Sequence, residues 1–300
     1  MRIQSVQRNE RLCKALTGLS IGEFTELCDD FEWNLREACG ARRSDRKRKM
    51  GAGRKGELKT VAHKLLAILM YLKTYTTFDV LGFMLNLDRS NACRDIHFLR
   101  IVLEKTLKRK LVLPERRISS VDEFFEKFPE AKEVFLDGTE RRVQKPVSKS
   151  RRNKLYSGKK KGTTRKNIVM SDIHKRVLVL TPTKSGRRHD KRLIDKAELA
   201  KNIPEDIPIF TDTGAQGIQH VHKNTIMPKK RTKRYPLTQS EKEMNRFISS
   251  LRVIAEHAIS GIKRYNAVST VYRNRLPNLD DTFMLLSAGL WNYHLSFVKR

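Results

Sequence analysis

The stretch Glu133-Val134-Phe135-Leu136-Asp137-Gly138-Thr139 predicts a buried β-strand that ends in an acid and a turn. Its apolar run is short and uninterrupted, and the glycine behind the acid is a typical turn residue. Ile207-Pro208-Ile209-Phe210-Thr211-Asp212 has the same form later in the chain. We therefore expect two apolar strands that each end in an acid, Asp137 and Asp212.

Further short segments around these two strands complete the expected sheet. Residues 164–171 and 176–181 predict two strands joined by a short turn, 189–200 predict a helix, and 224–227 predict a short last strand. Strands, a helix, a strand and then helices describe a mixed sheet with helices on its faces. This part of the chain is therefore expected to be of the α/β class.

Two helices are predicted after the last strand. Thr238, with Glu241 at the capping-box position, predicts the start of a long helix to about residue 264, and 280–297 predict a final apolar helix. Glu256 lies beside the inner face of the long helix. That face is predicted to consist of Phe247, Leu251, Ile254, Ala258 and Ile262.

The N-terminal third is predicted to be all-α. Residues 1–40 indicate two short amphipathic helices. A strongly apolar helix at 61–72, a helix at 78–85 capped by Thr76-Thr77, and a helix from Ser90 to about 103 have the order of a helix-turn-helix. Asn91 and Arg94 lie in the first turns of the third helix, where a recognition helix meets base edges. A plain three-helix bundle with a polar face would show the same pattern.

These segments predict four regions. We expect a helical N-terminal region with a basic linker at 1–56, a helix-turn-helix DNA-binding domain at 57–108, a connector at 109–131 and a mixed-sheet domain at 132–300. Over the whole chain the fold class is α+β, with the all-α region first.

The charge of the chain indicates a polyanionic partner. Its 300 residues include 63 Lys and Arg against 33 Asp and Glu, a formal net charge of +30. The excess is clustered at 42–55, 141–166 and 223–234, with at most one acid in each run. One such run would be explained as solvated surface, but three are typical of a protein that binds a nucleic-acid backbone.

Several other classes of protein are disfavoured. The longest uninterrupted apolar stretch, 65–72, is far shorter than the roughly 20 residues of a membrane span. The N-terminus has no apolar run of the kind found in signal peptides. The four cysteines are scattered without a C-x-x-C pair, which favours reduced thiols over disulfides or a zinc site. We expect a cytoplasmic, nucleoid-associated protein with no membrane partner.

Three acids are candidates for a metal site. Strand ends are where α/β sheets bind ligands, so Asp137 and Asp212 are expected near each other, with Glu256 supplied by the long helix. Converging carboxylates suit Mg²⁺, and two such ions roughly 3.5–4 Å apart act on phosphodiesters. Taken singly, a strand-end Asp is more simply a turn former or a cap, and a helical Glu is a surface residue.

The chain resembles insertion-sequence transposases of the DDE superfamily, in the branch that joins a helix-turn-helix to an RNase H-like core. The resemblance runs from about residue 61 to 295 and depends on the order and spacing of its blocks. The blocks are 65–75 with 80–83, 137–140, 156–161 with 166–167, 185–190, 212–217, and Arg252-x3-Glu256-x6-Lys263.

This resemblance implies a chemistry and the residues for it. Asp137, Asp212 and Glu256 would hold two Mg²⁺ ions, with Mn²⁺ as a substitute, to cleave DNA strands and join the freed 3′-hydroxyl to target DNA. Arg252 and Lys263 would hold DNA phosphates. The other DNA-binding residues that we expect are Asn91, Arg94, Arg141, Arg142, Lys159, Lys160 and Lys161.

The resemblance also implies partners. These are double-stranded DNA, as the element's terminal inverted repeats and as the target, and further copies of the chain in a homodimer or larger assembly on DNA.

Two departures from the family pattern leave alternatives open. Ser249 stands where the family often has Tyr, and Ala215 stands where an aromatic residue is common. The alternatives are a catalytically impaired or host-recruited DNA-binding protein and a nuclease that cuts without joining. His189 and Asp190 are explained by a helix N-terminus, where an acid is favoured, or alternatively by a fourth acid at the metal site.

Overall fold

The structure is a computed structural model that describes residues 3–41, 56–232 and 236–298. The chain forms two compact units: Met1–Leu113, Arg264–Thr270 and Tyr293–Arg300 make the first, and Pro114–Lys263 and Val271–Asn292 make the second. The basic run predicted as a linker, 42–55, lies outside the described residues, and so do positions 233 and 234 of the third basic run.

The described residues confirm the α/β class, with helices first and a sheet after them. The helices are α1 (Ile3–Arg8), α2 (Glu10–Thr17), α3 (Ile21–Ala41), α4 (Val61–Thr74), α5 (Phe78–Leu85), α6 (Arg89–Arg109), α7 (Val121–Lys127), α8 (Lys149–Leu155), α9 (Asp190–Lys196), α10 (Gln239–Lys263), α11 (Asn266–Ser269) and α12 (Leu279–Leu295). The strands are β1 (Val134–Arg142), β2 (Tyr156–Ser157), β3 (Gly162–Ser171), β4 (Val177–Leu180), β5 (Lys184–Ser185), β6 (Ile209–Thr211) and β7 (Thr225–Ile226).

The first unit begins with three helices, so the prediction of two in 1–40 was wrong. Asn9 separates α1 from α2, because its side chain accepts a hydrogen bond from the N–H of Leu12 and caps the new helix. Ser20 and Glu23 then start α3 with reciprocal side-chain bonds to each other's backbone N–H groups. Local capping thus divides this segment into three helices where the apolar pattern predicted two.

Helices α4, α5 and α6 form the predicted helix-turn-helix. Thr77 caps α5 as expected and accepts a hydrogen bond from the N–H of Val80. Asn86 ends α5 in the left-handed conformation, with φ of 55°, and the N–H of Leu87 donates to the carbonyl of Gly82 at 2.8 Å. This bond folds the chain back tightly before α6.

The cap of α6 differs from the prediction. Ser90 was expected to cap this helix, but α6 begins one residue earlier, at Arg89, and Asp88 is the cap. The Asp88 carboxylate accepts a hydrogen bond from the N–H of Ser90 at 2.8 Å. An Asp is as good a cap as a Ser, and the tight turn ends early enough for Asp88 to take that role.

The end of the chain also belongs to the first unit. Tyr265, which precedes α11, and Tyr293, near the end of α12, are fully buried there. The Tyr293 hydroxyl donates to the carbonyl of Glu23 at 2.9 Å, and His294 Nδ1 lies 2.6 Å from Glu23 Oε1. The first unit is therefore completed by residues from both ends of the sequence.

The second unit is built on a mixed sheet. Its order is β2-β3-β1-β6-β7, and β4 and β5 also pair with β3. β1 is antiparallel to β3 and parallel to β6, and β6 is parallel to β7. Thus β1 lies between an antiparallel neighbour and a parallel one. The prediction that this strand ends in a turn at Asp137 was wrong, because pairing with β3 continues it to Arg142.

Helices cover both faces of this sheet. One face, which we call the α9 face, packs Leu136 and Met170 against Phe124 of α7 and Ile194 of α9. The other, the α10 face, packs Phe135 and other residues of β1 and β6 against the long helix. Both faces of β1 and β6 are covered by packed side chains, which agrees with the continuous apolar runs of these strands.

The buried stripe of α10 differs by one residue from the prediction. Phe247 is 59% exposed, whereas Ile248 is buried, and the stripe continues through Ala255, Ala258 and Ile262. These positions follow each other at helical spacing, so Phe247 falls about 100° away from them. The expected capping box at Thr238 and Glu241 is present.

No helix within the described ranges is long and apolar enough to cross a membrane.

The close turn of the helix-turn-helix predicts a steric requirement at Gly82. A Cβ at this position would lie 2.6 Å from the carbonyl oxygen of Leu87, which is backbone and cannot move aside cheaply. We expect Gly82→Ala to lower the free energy of unfolding of the first unit by about 1–3 kcal/mol. Chemical denaturation followed by circular dichroism measures this.

Gly22→Ala is the matched control. A Cβ on Gly22 in α3 meets nothing within 4 Å, so this variant should be neutral or gain up to about 1 kcal/mol from helix propensity. Equal stability changes in the two variants would contradict the steric explanation.

Candidate active site

Asp137 and Asp212 are brought side by side by the parallel pairing of β1 with β6. Leu136 on β1 is in register with Thr211 on β6, so the next residue of each strand is an acid. Because side chains alternate along a strand, Asp137 lies on the α10 face, two residues beyond Phe135. Strand pairing alone thus achieves the meeting of two acids that are distant in sequence.

An aromatic pair lies immediately before the two acids on the same face. The rings of Phe135 and Phe210 stack at 5.1 Å between centroids with 18° between their planes. Ala255 of α10 packs against both. This dry contact fixes how β1, β6 and α10 meet close to the carboxylates.

Each of the two acids is oriented by a neighbouring glycine. The N–H of Gly138 donates to Asp137 Oδ1 at 2.7 Å, and the N–H of Gly214 donates to Asp212 Oδ1 at 2.8 Å. Asp212 also caps a short 3₁₀ turn, Thr213–Ala215. The simpler explanation given for a strand-end Asp, that it forms a turn or caps a helix, therefore holds for Asp212.

The electrostatics of the pair are those of crowded negative charge. Burial, and after it the negative charge of Asp212, raises the pKa of Asp137 to about 6. The Gly138 N–H and the positive charge of Arg252 oppose this rise, while Asp190 adds to it. A cation placed here would relieve the repulsion between the two carboxylates.

Helix α10 brings two basic residues to the site, but Glu256 remains exposed. Arg252 acts on Asp137, as described, and Lys263 interacts with Asp137 and Glu140 although burial lowers its pKa. Glu256 follows the buried Ala255 and lies one turn after Arg252.

The structure thus brings Asp137 and Asp212 together but does not complete the expected triad. Within 3–41, 56–232 and 236–298, no group of three or more His, Cys, Asp or Glu is spaced to hold a metal ion.

A further acid, Asp190, lies where the first two acid segments meet. It begins α9, as the helix explanation predicted. A Cβ built on Gly138 would lie 2.6 Å from Asp190 Oδ1, and one built on Gly214 would lie 3.2 Å from Asp190 Oδ2. Asp190 therefore occupies the space that both glycines leave free. Its place in a His-Asp block was the sequence signal for it.

Most of the basic residues predicted after β1 are exposed. The turn between β2 and β3 is a hairpin that carries Lys159, Lys160 and Lys161, and Arg142 approaches the carbonyl of Lys160. Lys159 also lines a cleft of about 610 Å³ together with Arg187 and other residues near Asp190. These side chains can reach a phosphate backbone.

Arg141 is an exception, and its burial contradicts the expectation of a DNA contact. The side chain is 3% exposed and lies 3.2 Å from the Asp280 carboxylate. It also donates to Asn167 and to Thr183. Alternation along β1 turns Arg141 inward and Arg142 outward, which a count of basic residues in the run could not show.

The charge runs did not predict a second basic cleft of the second unit. It measures about 860 Å³ and is lined by Lys145, Arg151, Arg165, Arg273 and Arg275, among others. Val143 and Tyr272 form a parallel bridge that joins its two sides. Lys145, Arg151 and Arg165 belong to the charge run at 141–166, and the only sequence signal for the opposite wall of the cleft is the closely spaced pair Arg273 and Arg275.

In the first unit, Asn91 and Arg94 lie where the sequence placed them. Both are exposed on α6, and Arg94 Nη2 donates to Asn91 Oδ1 at 2.8 Å. Ala92, Ile96 and Leu99 face inward and are buried, as expected. The exposed side of the first turns of α6 is thus free to meet another surface.

Comparisons with known proteins agree with this arrangement. A family model described as the helix-turn-helix of DDE superfamily endonuclease matches residues 57–109, and one described as DDE superfamily endonuclease matches residues 136–292. The chain is 28% identical over 298 residues to the probable transposase for insertion sequence element IS702 of Microchaete diplosiphon, covering 99% of both chains.

No solved structure shows a significant match to the chain. The second family model alone spans more than half of the chain, and it contains Asp137, Asp212 and Glu256. The protein therefore belongs to the DDE superfamily of endonucleases, as a transposase-type member with an N-terminal helix-turn-helix.

Proposed function

We propose that the protein is a DNA transposase that binds the terminal inverted repeats of its element and performs Mg²⁺-dependent strand cleavage and strand transfer. The observation that carries this proposal is the adjacent pair Asp137 and Asp212, each of which follows directly on the last residue paired between β1 and β6. Family membership supports a DNA endonuclease, and the helix-turn-helix supports DNA binding.

The residues present fit a divalent cation. DDE superfamily enzymes are generally metal-dependent, and two carboxylates that repel each other offer the hard oxygen ligands that Mg²⁺ prefers. Asp137 and Asp212 would hold the ion, and we propose Glu256 of α10 as the third acid. Mn²⁺ has the same preference for oxygen ligands and could replace Mg²⁺. When bound, such ions stabilise charge on the attacking and leaving oxygens of a phosphodiester.

The protein's own residues would bind and orient the DNA. Arg252 and Lys263 interact electrostatically with Asp137, and we propose that they hold DNA phosphates at this site. Arg142 and the hairpin lysines at 159–161 extend this positive surface. Burial of Asp137 keeps bulk water from one side of the pair, which strengthens these electrostatic interactions.

Asn91 and Arg94 would read bases, while the second unit holds the backbone. This division follows from general rules, since phosphate contacts give affinity and contacts to base edges give sequence choice. Two ends must be cut and joined together, so we propose a homodimer or larger assembly on DNA.

A binding protein without chemistry is the second candidate. The exposure of Glu256 favours it, and so do Ser249, which is exposed on α10, and Ala215, which is buried where an aromatic ring is common in the family. Such a protein would bind DNA with a steep salt dependence and cut nothing with any metal.

The proposed function makes a prediction about cleavage. A duplex made from the DNA that flanks the coding region should be cut by the wild-type protein with Mg²⁺. Asp137→Asn and Asp212→Asn should each lower the rate by roughly a hundredfold or more, because each loses a charged oxygen ligand.

Gel analysis of end-labelled duplex measures cut and joined products separately. Products that are cut but never joined would identify a nuclease instead of a transposase. Activity without metal, or wild-type activity in either variant, would overturn the mechanism.

The second prediction concerns pH. The pKa of Asp137 is raised in the folded protein to about 6, above its ordinary value of 3.8, so its charged form opposes folding. Stability should therefore be lost as pH rises through about 4 to 6, by up to about 3 kcal/mol. In metal-free buffer, Asp137→Asn should be more stable than the wild type at pH 7.5, with the difference shrinking towards pH 4.5.

Urea denaturation at the two pH values measures this difference. Adding Mg²⁺ at pH 7.5 should stabilise the wild type and not the variant, because a ligand stabilises only a state that binds it. A difference that is the same at both pH values would contradict the raised pKa.

The third prediction separates base reading from backbone binding. Arg94→Ala should weaken binding to the element's end by about 1–3 kcal/mol and relax sequence preference. Lys160→Ala should weaken binding to all sequences and lower the salt slope by about one. Fluorescence anisotropy over a range of salt concentrations measures both, with Lys201→Ala as an exposed control in another part of the second unit. Identical behaviour of Arg94→Ala on specific and random duplexes would refute base reading by α6.

A further inference from the structure

A buried cluster of three charges lies on the α9 face of the sheet, on the opposite side of β1 from Asp137. Lys166 Nζ lies 3.0 Å from Glu140 Oε1 and 2.9 Å from Asp190 Oδ1. The three side chains are only 7%, 5% and 12% exposed, for Lys166, Glu140 and Asp190 respectively. Glu140 and Lys166 are directly paired across β1 and β3, so the sheet register sets their contact.

The cluster is held in one arrangement by further bonds. Glu140 Oε2 accepts from the hydroxyl of Thr164 at 2.8 Å, and Lys166 Nζ donates to the carbonyl of Arg188 at 3.1 Å. Burial disfavours the charged ammonium, yet contacts with Asp190 and Glu140 outweigh it and the pKa of Lys166 is raised. Desolvated charges of this kind are costly unless every partner is present.

Asp190 connects this cluster to the segments that contain Asp137 and Asp212. Its carboxylate packs closely against Gly138 and Gly214, since a Cβ built on either glycine would lie 2.6 or 3.2 Å from its oxygens, respectively. The N–H groups of these same two glycines hold the carboxylates of Asp137 and Asp212. One side chain thus packs against the two backbone sites that orient the candidate metal ligands.

We propose that Lys166 is a positioning residue of the active site: it holds Asp190 against Gly138 and Gly214 and so fixes the separation of Asp137 and Asp212. The proposal rests on the proposed function, because it assigns how that function's acids are placed. Lys166 is not proposed as a ligand of DNA or metal. It acts through Asp190 and the two glycine segments.

A simpler role for Lys166 would be to neutralise buried charge. The two roles differ in the double variant Glu140→Gln with Lys166→Met, which removes one negative and one positive charge. A neutraliser alone would be dispensable in that background, so both stability and activity would return. A positioning residue would not be replaced, because Asp190 would still lack its ion pair.

The experiment compares Lys166→Met, the double variant and Gly138→Ala with the wild type. Gly138→Ala tests the same contact from the glycine side, because the added Cβ would displace the Asp190 carboxylate. This substitution removes no charge. Three quantities are measured: the single-turnover rate of cleavage, the affinity for the end duplex, and amide hydrogen exchange in peptides that cover 136–140 and 211–215.

We expect all three variants to cleave at least tenfold more slowly and to exchange at least tenfold faster in both peptides. Affinity for the end duplex should stay within twofold of the wild type, and the double variant should recover the unfolding midpoint lost in Lys166→Met. Lys127→Met is the matched control, since it breaks an exposed ion pair with Glu115 in the same unit and should change none of these quantities.

Two results would overturn the proposal. One is wild-type exchange in both peptides for the folded variants, and the other is recovery of cleavage together with stability in the double variant. If Lys166→Met does not fold, the double variant and Gly138→Ala decide. If the wild type itself cuts no DNA, the proposed function fails, and hydrogen exchange still tests the positioning role by itself.

Discussion

The parallel pairing of β1 with β6 is the constraint on which the candidate site depends. It places Asp137 beside Asp212 and Phe135 against Phe210, so the site and the core beneath it share one register. A slip of one residue would send each acid to the opposite face and break the aromatic stack at the same time. Packing energy therefore protects the geometry of the carboxylates, since any shift that moves them also exposes large apolar rings.

Charge is distributed by the same architecture. A chain with a net charge of +30 places negative charge around Asp137, whose pKa is raised by burial and by the charges of Asp212 and Asp190. Because side chains alternate along β1 and β3, neighbouring charged residues lie on opposite faces of the sheet. Arg141 pairs with Asp280 inside the protein, Lys166 binds its two acids on the α9 face, and Arg142 is left outside.

Much of this could be predicted from local sequence. The apolar run of β6, the capping box of α10 and the turn before α6 are determined by neighbouring residues, and each was predicted close to its observed bounds. The start of β1 was predicted as well, but its end was not, because pairing with β3 carries this strand past Asp137 to Arg142. What could not be predicted depends on tertiary contacts.

The inward turn of Arg141, the exposure of Phe247 and the contact of Asp190 with two glycines are examples of such contacts. Glu256 shows the same limit. Its position beside a buried stripe follows from helical periodicity, but its distance from the two aspartates depends on how α10 lies on the sheet. The helix α8 has no buried residue, so no apolar pattern could reveal it.

The return of the chain's end to the first unit has a consequence for synthesis. Tyr265, Tyr293 and His294 complete a core that begins with α1 to α3. The partners of Glu23 in this core lie 270 and 271 residues further along the sequence. A ribosome therefore finishes the whole second unit before the first can close. In a nascent or truncated chain the first unit lacks these contacts, so the unit that contains the helix-turn-helix reaches its full stability only after α12 has been translated.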